Sequence, residues 1–259
     1  MTGSMDYFPE QTVTVVFTSL LARQGGVEMK KFTIALLILP AILFAEDILF
    51  QDDFSDGNAD GWIAMFGEGS YFVNDSLRYD VSYTGTGYVY PCVVRGDSSS
   101  VYMTENDYSV LLETVIHSPS QYAGVYARGT FDETGYVLWL RNTLDDVSIF
   151  RHDGQSIYTA IGSVYFPLDY DTHYWMRFQC EGGLLCGKVW QGDVGDEPAD
   201  WLLSVFDYTY DNYGFTGFVT GRYSTSPGSS HSEFDNVVVT TVTPGAIEQI
   251  TWAGIKAAF

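Results

Sequence analysis

A chain of 259 residues that is 46% hydrophobic is long enough to bury a sizeable core, which excludes both a disordered polypeptide and a miniature disulfide scaffold. Aromatic residues make up 16% of it, and 26 glycines stand against only 12 Lys and Arg, a composition of short strands and tight turns rather than of helices. The formal charge of −21 excludes a nucleic-acid footprint and attraction to anionic lipid, because both need clustered positive charge.

In chain order, the first feature is the apolar run Phe32 to Ala45 (FTIALLILPAILFA), whose 14 residues fall short of the roughly 20 that a spanning helix needs. It follows Met29-Lys30-Lys31 and ends in Leu43-Phe44-Ala45 before Glu46-Asp47, the order of a secretory signal. Residues 29–45 therefore read as a signal peptide with Met29 as the start, and residues 1–28 as an upstream extension or mis-chosen start. A genuine N-terminal strand is the alternative. Cleavage after Ala45 would remove three basic and three acidic residues and leave the mature chain at −21, secreted to the exterior or cell surface and without a transmembrane span.

Beyond Glu46, compact aromatic or alternating runs predict strands at 76–83, 87–94, 108–116, 122–128, 136–141, 147–151, 156–161, 173–180, 184–190, 201–206, 215–221 and 233–240. The separators are turn chemistry, such as Asp56-Gly57, Gly85-Thr86-Gly87, Asp153-Gly154 and Gly182-Gly183. About a dozen antiparallel strands in one domain over 46–242 fit an all-β, two-sheet jelly-roll sandwich, and no internal period of ~40 to 50 residues supports a propeller. Of the three cysteines, Cys180 and Cys186 flank the Gly182-Gly183 turn and are candidates for a disulfide across a hairpin, which leaves Cys92 as an odd thiol. After Thr243-Pro244-Gly245 the character changes. Residues 243–259 read as a C-terminal tail in which Trp252, Ile255 and Phe259 would line one side of a short helix, a candidate sorting or attachment signal for secretion machinery.

The opening FQDDFSDGNADGW (50–62), the hairpin Tyr174-Trp175-Met176-Arg177-Phe178 with Gly187-Lys188-Val189-Trp190, the Glu197-Pro198-Ala199-Asp200-Trp201 run and the closing Phe234-Asp235-Asn236-Val237-Val238-Val239 resemble the concanavalin A-like lectin/glucanase superfamily. More narrowly, they resemble the laminin-G-like jelly rolls of secreted bacterial proteins. The resemblance implies architecture more than chemistry, since that superfamily holds lectins, carbohydrate-binding modules, glycosidases and adhesive domains. A β-glucanase of this fold would carry Glu-x-Asp-x-x-Glu on one strand. The nearest segment here, Glu233-Phe234-Asp235, lacks the third carboxylate and reads as the closing strand. The four histidines stand singly in the sequence, and no nucleophile elbow or phosphate loop occurs.

Asp56-x-Asn58-x-Asp60-Gly61 matches the first half of a calcium-loop pattern, in which alternating oxygen side chains wrap a hard cation, although Gly67 stands where a bidentate Glu belongs. The resemblance implies that the first and last strands would complete such a site, through Asp53 and Asp235. An Asx-rich turn without metal is the alternative. Strand parity predicts a sugar face: with Ala123, Val125 and Ala127 toward the core, Tyr126 and Arg128 point the other way, beside Trp139 and Arg141 of the next strand. Aromatic rings stack on sugar C–H faces and guanidinium groups donate to hydroxyls. The same residues could instead pack beneath loops. The functional expectation is a non-catalytic module whose partner is a glycan or cell-surface polysaccharide. A divergent glycoside hydrolase and a calcium-stabilised adhesive domain are the alternatives.

Overall fold

The computed structural model describes residues 46–66, 69–85, 92–95, 103, 105–117, 122–154, 158–212, 214–222 and 228–242. The extension at 1–28, the signal at 29–45 and the tail at 243–259 lie outside the described residues. The strands are β1 (Ile48–Asp52), β2 (Trp62–Phe66), β3 (Ser70–Val73), β4 (Tyr79–Gly85), β5 (Cys92–Arg95), β6 (Tyr108–His117), β7 (Tyr122–Gly129) and β8 (Thr134–Arg141). They continue with β9 (Asp146–Asp153), β10 (Tyr158–Tyr165), β11 (His173–Glu181), β12 (Leu184–Trp190), β13 (Leu203–Phe206), β14 (Phe215–Gly221) and β15 (Gly228–Thr241). Among the described residues the only helical element is the single 3-10 turn Val194–Asp196. No helix among them is long and apolar enough to cross a membrane.

The strands form two antiparallel sheets. One has eight strands in the order β13-β12-β11-β6-β15-β4-β3, with β1 also paired to β15, and the other has seven in the order β10-β9-β8-β7-β14-β5-β2. Period-two alternation drives the packing. On β11 the side chains of Tyr174, Met176, Phe178 and Cys180 enter the core, as do Val110, Leu112 and Ile116 of β6, and they meet Val125, Leu138, Ile149 and Phe218 of the facing sheet. Burying each such side chain contributes about 1.5–3 kcal/mol, so this interface is the main source of stability. Glycine lets the sheets pack tightly at β12: a Cβ on Gly187 would lie 2.6 Å from Leu138 Cδ1 of β8, which would have to shift to admit it.

The expected Cys180–Cys186 disulfide is absent, and both thiols are free and buried. The two-residue Gly182-Gly183 turn pairs Glu181 with Leu184, so Cys180 faces Leu185 and Cys186 faces Gln179. Being out of step by one residue sends the two side chains to opposite faces of the sheet. Cys180 lies in the core, whereas the Cys186 Sγ lies 3.3 Å from Ser204 Oγ on the other face.

Candidate functional site

The predicted sugar face does not stand open. Ala123, Val125 and Ala127 do enter the core, and Tyr126 and Trp139 do point to the opposite side of the seven-stranded sheet. There, however, they sit in a second apolar cluster with Val137, Phe215 and Val219, Tyr126 at 0% and Trp139 at 3% exposure. Tyr126 stacks on Phe215 at 6.0 Å and donates its hydroxyl to the Thr134 carbonyl at 2.9 Å. Rings so enclosed have no face left for a sugar.

Arg128 is misplaced by parity for a different reason. The pairing of β7 with β14 slips between Phe215 and Gly217, and Arg128 adopts φ +53 in that bulge. Its guanidinium is buried at one end of the sandwich, where it donates to the carbonyls of Asn106 (3.0 Å), Gly182 (2.6 Å) and Tyr210 (3.2 Å) and pairs with Asp107 at 3.0 Å. It is a clamp between loops. Arg141 is half-buried, holds Asp146 through Nε at 2.6 Å and through Nη2, and lies over Phe150 at 5.1 Å.

The acidic loop after β1 folds as a series of Asx turns. Asp56 Oδ1 accepts from the Asn58 N–H at 3.0 Å, Asp56 Oδ2 from Asn58 Nδ2 at 2.7 Å, and Asn58 Oδ1 from the Asp60 N–H at 2.8 Å. Asp53 and Asp56 border a cavity of about 360 Å³ shared with Gln51, Ser55 and Asn236. Hydrogen bonds from Ser55 hold the exposed Asp53 carboxyl below the usual range. Asp235 Oδ2 accepts from Arg78 at 3.0 Å and its Oδ1 from the Asn236 N–H at 2.7 Å, and Asn236 borders the same cavity as Asp53.

A richer polar constellation covers the outer face of the eight-stranded sheet, the face turned away from the other sheet. Register builds it: β6 and β15 place Glu113 opposite Asp235, and β11 places Trp175 opposite Glu113 on one side and Trp190 on the other. Arg78 reaches Glu113 at 3.1 Å, Glu233 at 3.2 Å and Asp235 at 3.0 Å, and His173 Nδ1 lies 2.5 Å from Glu113. Burial pushes the Glu113 carboxyl up, but the Arg78 charge and the His173 bond outweigh it and the net shift is downward. For Asp235 burial prevails and the net shift is upward.

Next to these carboxylates, the half-buried Trp175 stacks on Trp190 with centroids 6.3 Å apart and planes 16° from parallel. Arg177 grips Glu197 in a two-point fork at 2.8 and 2.7 Å. Lys188 donates to Glu197 at 3.2 Å and lies over Trp201 at 4.5 Å. The outward set His173, Trp175 and Arg177 is visible in the alternation of β11; their partners come from other strands and are not.

No protein-family profile matches the chain, and no curated protein matches it in sequence. Solved structures do match in shape. The carbohydrate-binding module CBM66 from Bacillus subtilis is 14% identical, with 70% of this chain and 96% of that one covered at a TM-score of 0.52. Lectin II from Ulex europaeus is 12% identical, with 77% and 100% covered at 0.52. The Ca2+-bound exoplasmic/lumenal domain of VIP36 is 11% identical, with 74% and 89% covered at 0.50. At such identities the likeness is one of fold, and the fold is the concanavalin A-like jelly roll.

Proposed function

We propose that this concanavalin A-like jelly roll is a secreted, non-catalytic module that binds carbohydrate through the outer face of its eight-stranded sheet. The observation that carries the reading is the half-exposed Trp175, backed by Trp190 and flanked by the fixed Arg177–Glu197 pair. A ring held from behind stacks on a sugar without losing rotamer freedom, and groups already locked by charge offer directional bonds to hydroxyls. A glycan array on the secreted chain, whose N-terminus should be Glu46, tests the reading. Trp175→Ala should remove at least tenfold of the affinity for any glycan bound while the melting temperature barely moves. Unchanged affinity would remove this face from consideration.

Glycoside hydrolysis is a second reading, favoured by one feature. Glu113 supplies from β6 the third carboxylate that the Glu233-Phe234-Asp235 segment lacks, and burial raises Asp235 while Arg78 and His173 lower Glu113. Opposed shifts suit an acid paired with a base. Release of reducing ends from soluble polysaccharides, lost in Glu113→Gln, would establish it. We extend the reading to calcium: Asp53, Asp56, Asn58 and Asp60, with Asp235 from the closing strand, are the oxygen donors that a structural ion beside the loop after β1 would use. The tail at 243–259 is the segment proposed to engage secretion machinery.

A further inference from the structure

Two of the histidines that stand singly in the sequence meet in the fold. β15 and β6 pair so that His231 lies directly opposite His117, and their rings stack with centroids 4.4 Å apart and planes 28° from parallel. Glu233 follows two residues later on the same face of β15. One ligand atom from each of His117, His231 and Glu233 lies within 4.8 Å of the other two, the one such group of His, Cys, Asp or Glu found among the described residues. His117 Nδ1 is bonded to Asp171 Oδ1 at 2.6 Å, which turns its Nε2 inward. That Nε2 is buried, makes no hydrogen bond, and lies 3.5 Å from Glu233 Oε1.

We propose that His117, His231 and Glu233 form a site for a divalent transition metal of the zinc type. Ligands bound at about 2.0–2.2 Å in a tetrahedron stand roughly 3.4 Å from one another, close to the 3.5 Å already present between His117 and Glu233. Two imidazoles and one carboxylate prefer zinc, nickel or copper to calcium, which takes six or more oxygens. The surroundings suit that role. Each histidine has a ring nitrogen on a carboxylate, His117 on Asp171 and His231 on Asp80 at 2.7 Å, an arrangement that fixes the ring and raises its basicity toward a metal. Asn74 at 2.9 Å and Arg78 at 3.2 Å orient the Glu233 carboxylate, whose Oε1 keeps a lone pair for an ion. Three protein ligands leave the fourth position to water or to a ligand oxygen.

Zinc titrated into the metal-stripped full chain, in competition with a chromogenic chelator, should bind at one equivalent and resist excess calcium. His117→Ala and His231→Ala should each abolish binding, and Asp171→Asn should weaken it about 10- to 100-fold at unchanged stoichiometry. Cobalt(II) added to the unaltered chain should show the intense visible bands of four-coordinate geometry, a measurement that needs no variant to fold. Absence of binding by the unaltered chain, full binding by the double alanine variant, or a cobalt spectrum like that of the hydrated ion would each overturn the proposal. None of these readouts depends on carbohydrate binding.

Discussion

His152 shows how much one enclosed side chain governs. It is 1% exposed on β9, stacks on Tyr158 at 4.1 Å, and has Nδ1 3.3 Å from the Tyr126 hydroxyl. Burial pulls its imidazole from 6.5 down to about 4, so the folded chain holds it neutral where an unfolded chain protonates it. The depressed folded value fixes the sign: stability is full above about pH 6.5 and declines as pH falls toward about 4, by roughly 3 kcal/mol if the whole shift is expressed. Urea unfolding at stepped pH should therefore show a shallower acid slope in His152→Gln than in the unaltered chain across that window. Parallel slopes would show that His152 is not the group responsible. Arg128 is governed by its backbone instead. Parity along β7 sends Ala123, Val125 and Ala127 inward, as expected, but the bulge at φ +53 carries Arg128 off the face to which the alternation assigns it. A bulge leaves no mark in an alternating sequence when the extra residue is an ordinary one.

Among elements, the long strands were readable as compact apolar and aromatic runs bounded by turn residues, and predictions at 184–190 and 215–221 coincide with β12 and β14, which are buried along almost their whole length. β1, β2 and β3 escaped: at 4 or 5 residues each, set among Asp-rich turns, they offer too few alternations to register. The outward set of β11 was equally readable, yet the face it belongs to was not, because Asn236 and Glu113, bonded at 3.2 Å, are 123 positions apart. Pairing of that kind is decided by the competition among whole strands for register. The contact between sheets also rests on a detail of one element. Gly187→Ala would drive a methyl group against Leu138, and overpacking of this type costs about 1–3 kcal/mol, measurable as a lower denaturant midpoint with an unchanged slope. A variant as stable as the parent would mean that the Leu138 side chain turns aside to admit the methyl group.

For the molecule as a whole, the dominant electrostatic fact is the charge of −21, which destabilises the compact state through self-repulsion and favours any bound cation. Calcium that binds only the folded chain should raise the melting temperature, with about 2.7 kcal/mol gained at a hundredfold excess over its dissociation constant, and chelator should reverse the change. Asp56→Ala should abolish the difference. A melting curve indifferent to both additions would leave the loop after β1 as Asx turns alone. Fold class was legible because it depends on the density of aromatic strands and turns, whereas the covered state of the outer face depends on which strands lie side by side, as when Phe215 and Val219 of β14 close over Tyr126 of β7.

The placement of β15 has a consequence for the order of events in the life of the chain. This last strand lies inside its sheet, bordered by β6 on one edge and by β4 and then β1 on the other. Without it the eight-stranded sheet divides into β13-β12-β11-β6 and β4-β3, and β1 has no neighbour. A polypeptide that emerges N-terminus first, from a ribosome or through a narrow pore, therefore cannot complete the sandwich while residues 228–241 are still threaded. The seven-stranded sheet holds no part of β15, so what waits for the release of residues 228–241 is the eight-stranded sheet and, with it, the closing of the core between the two.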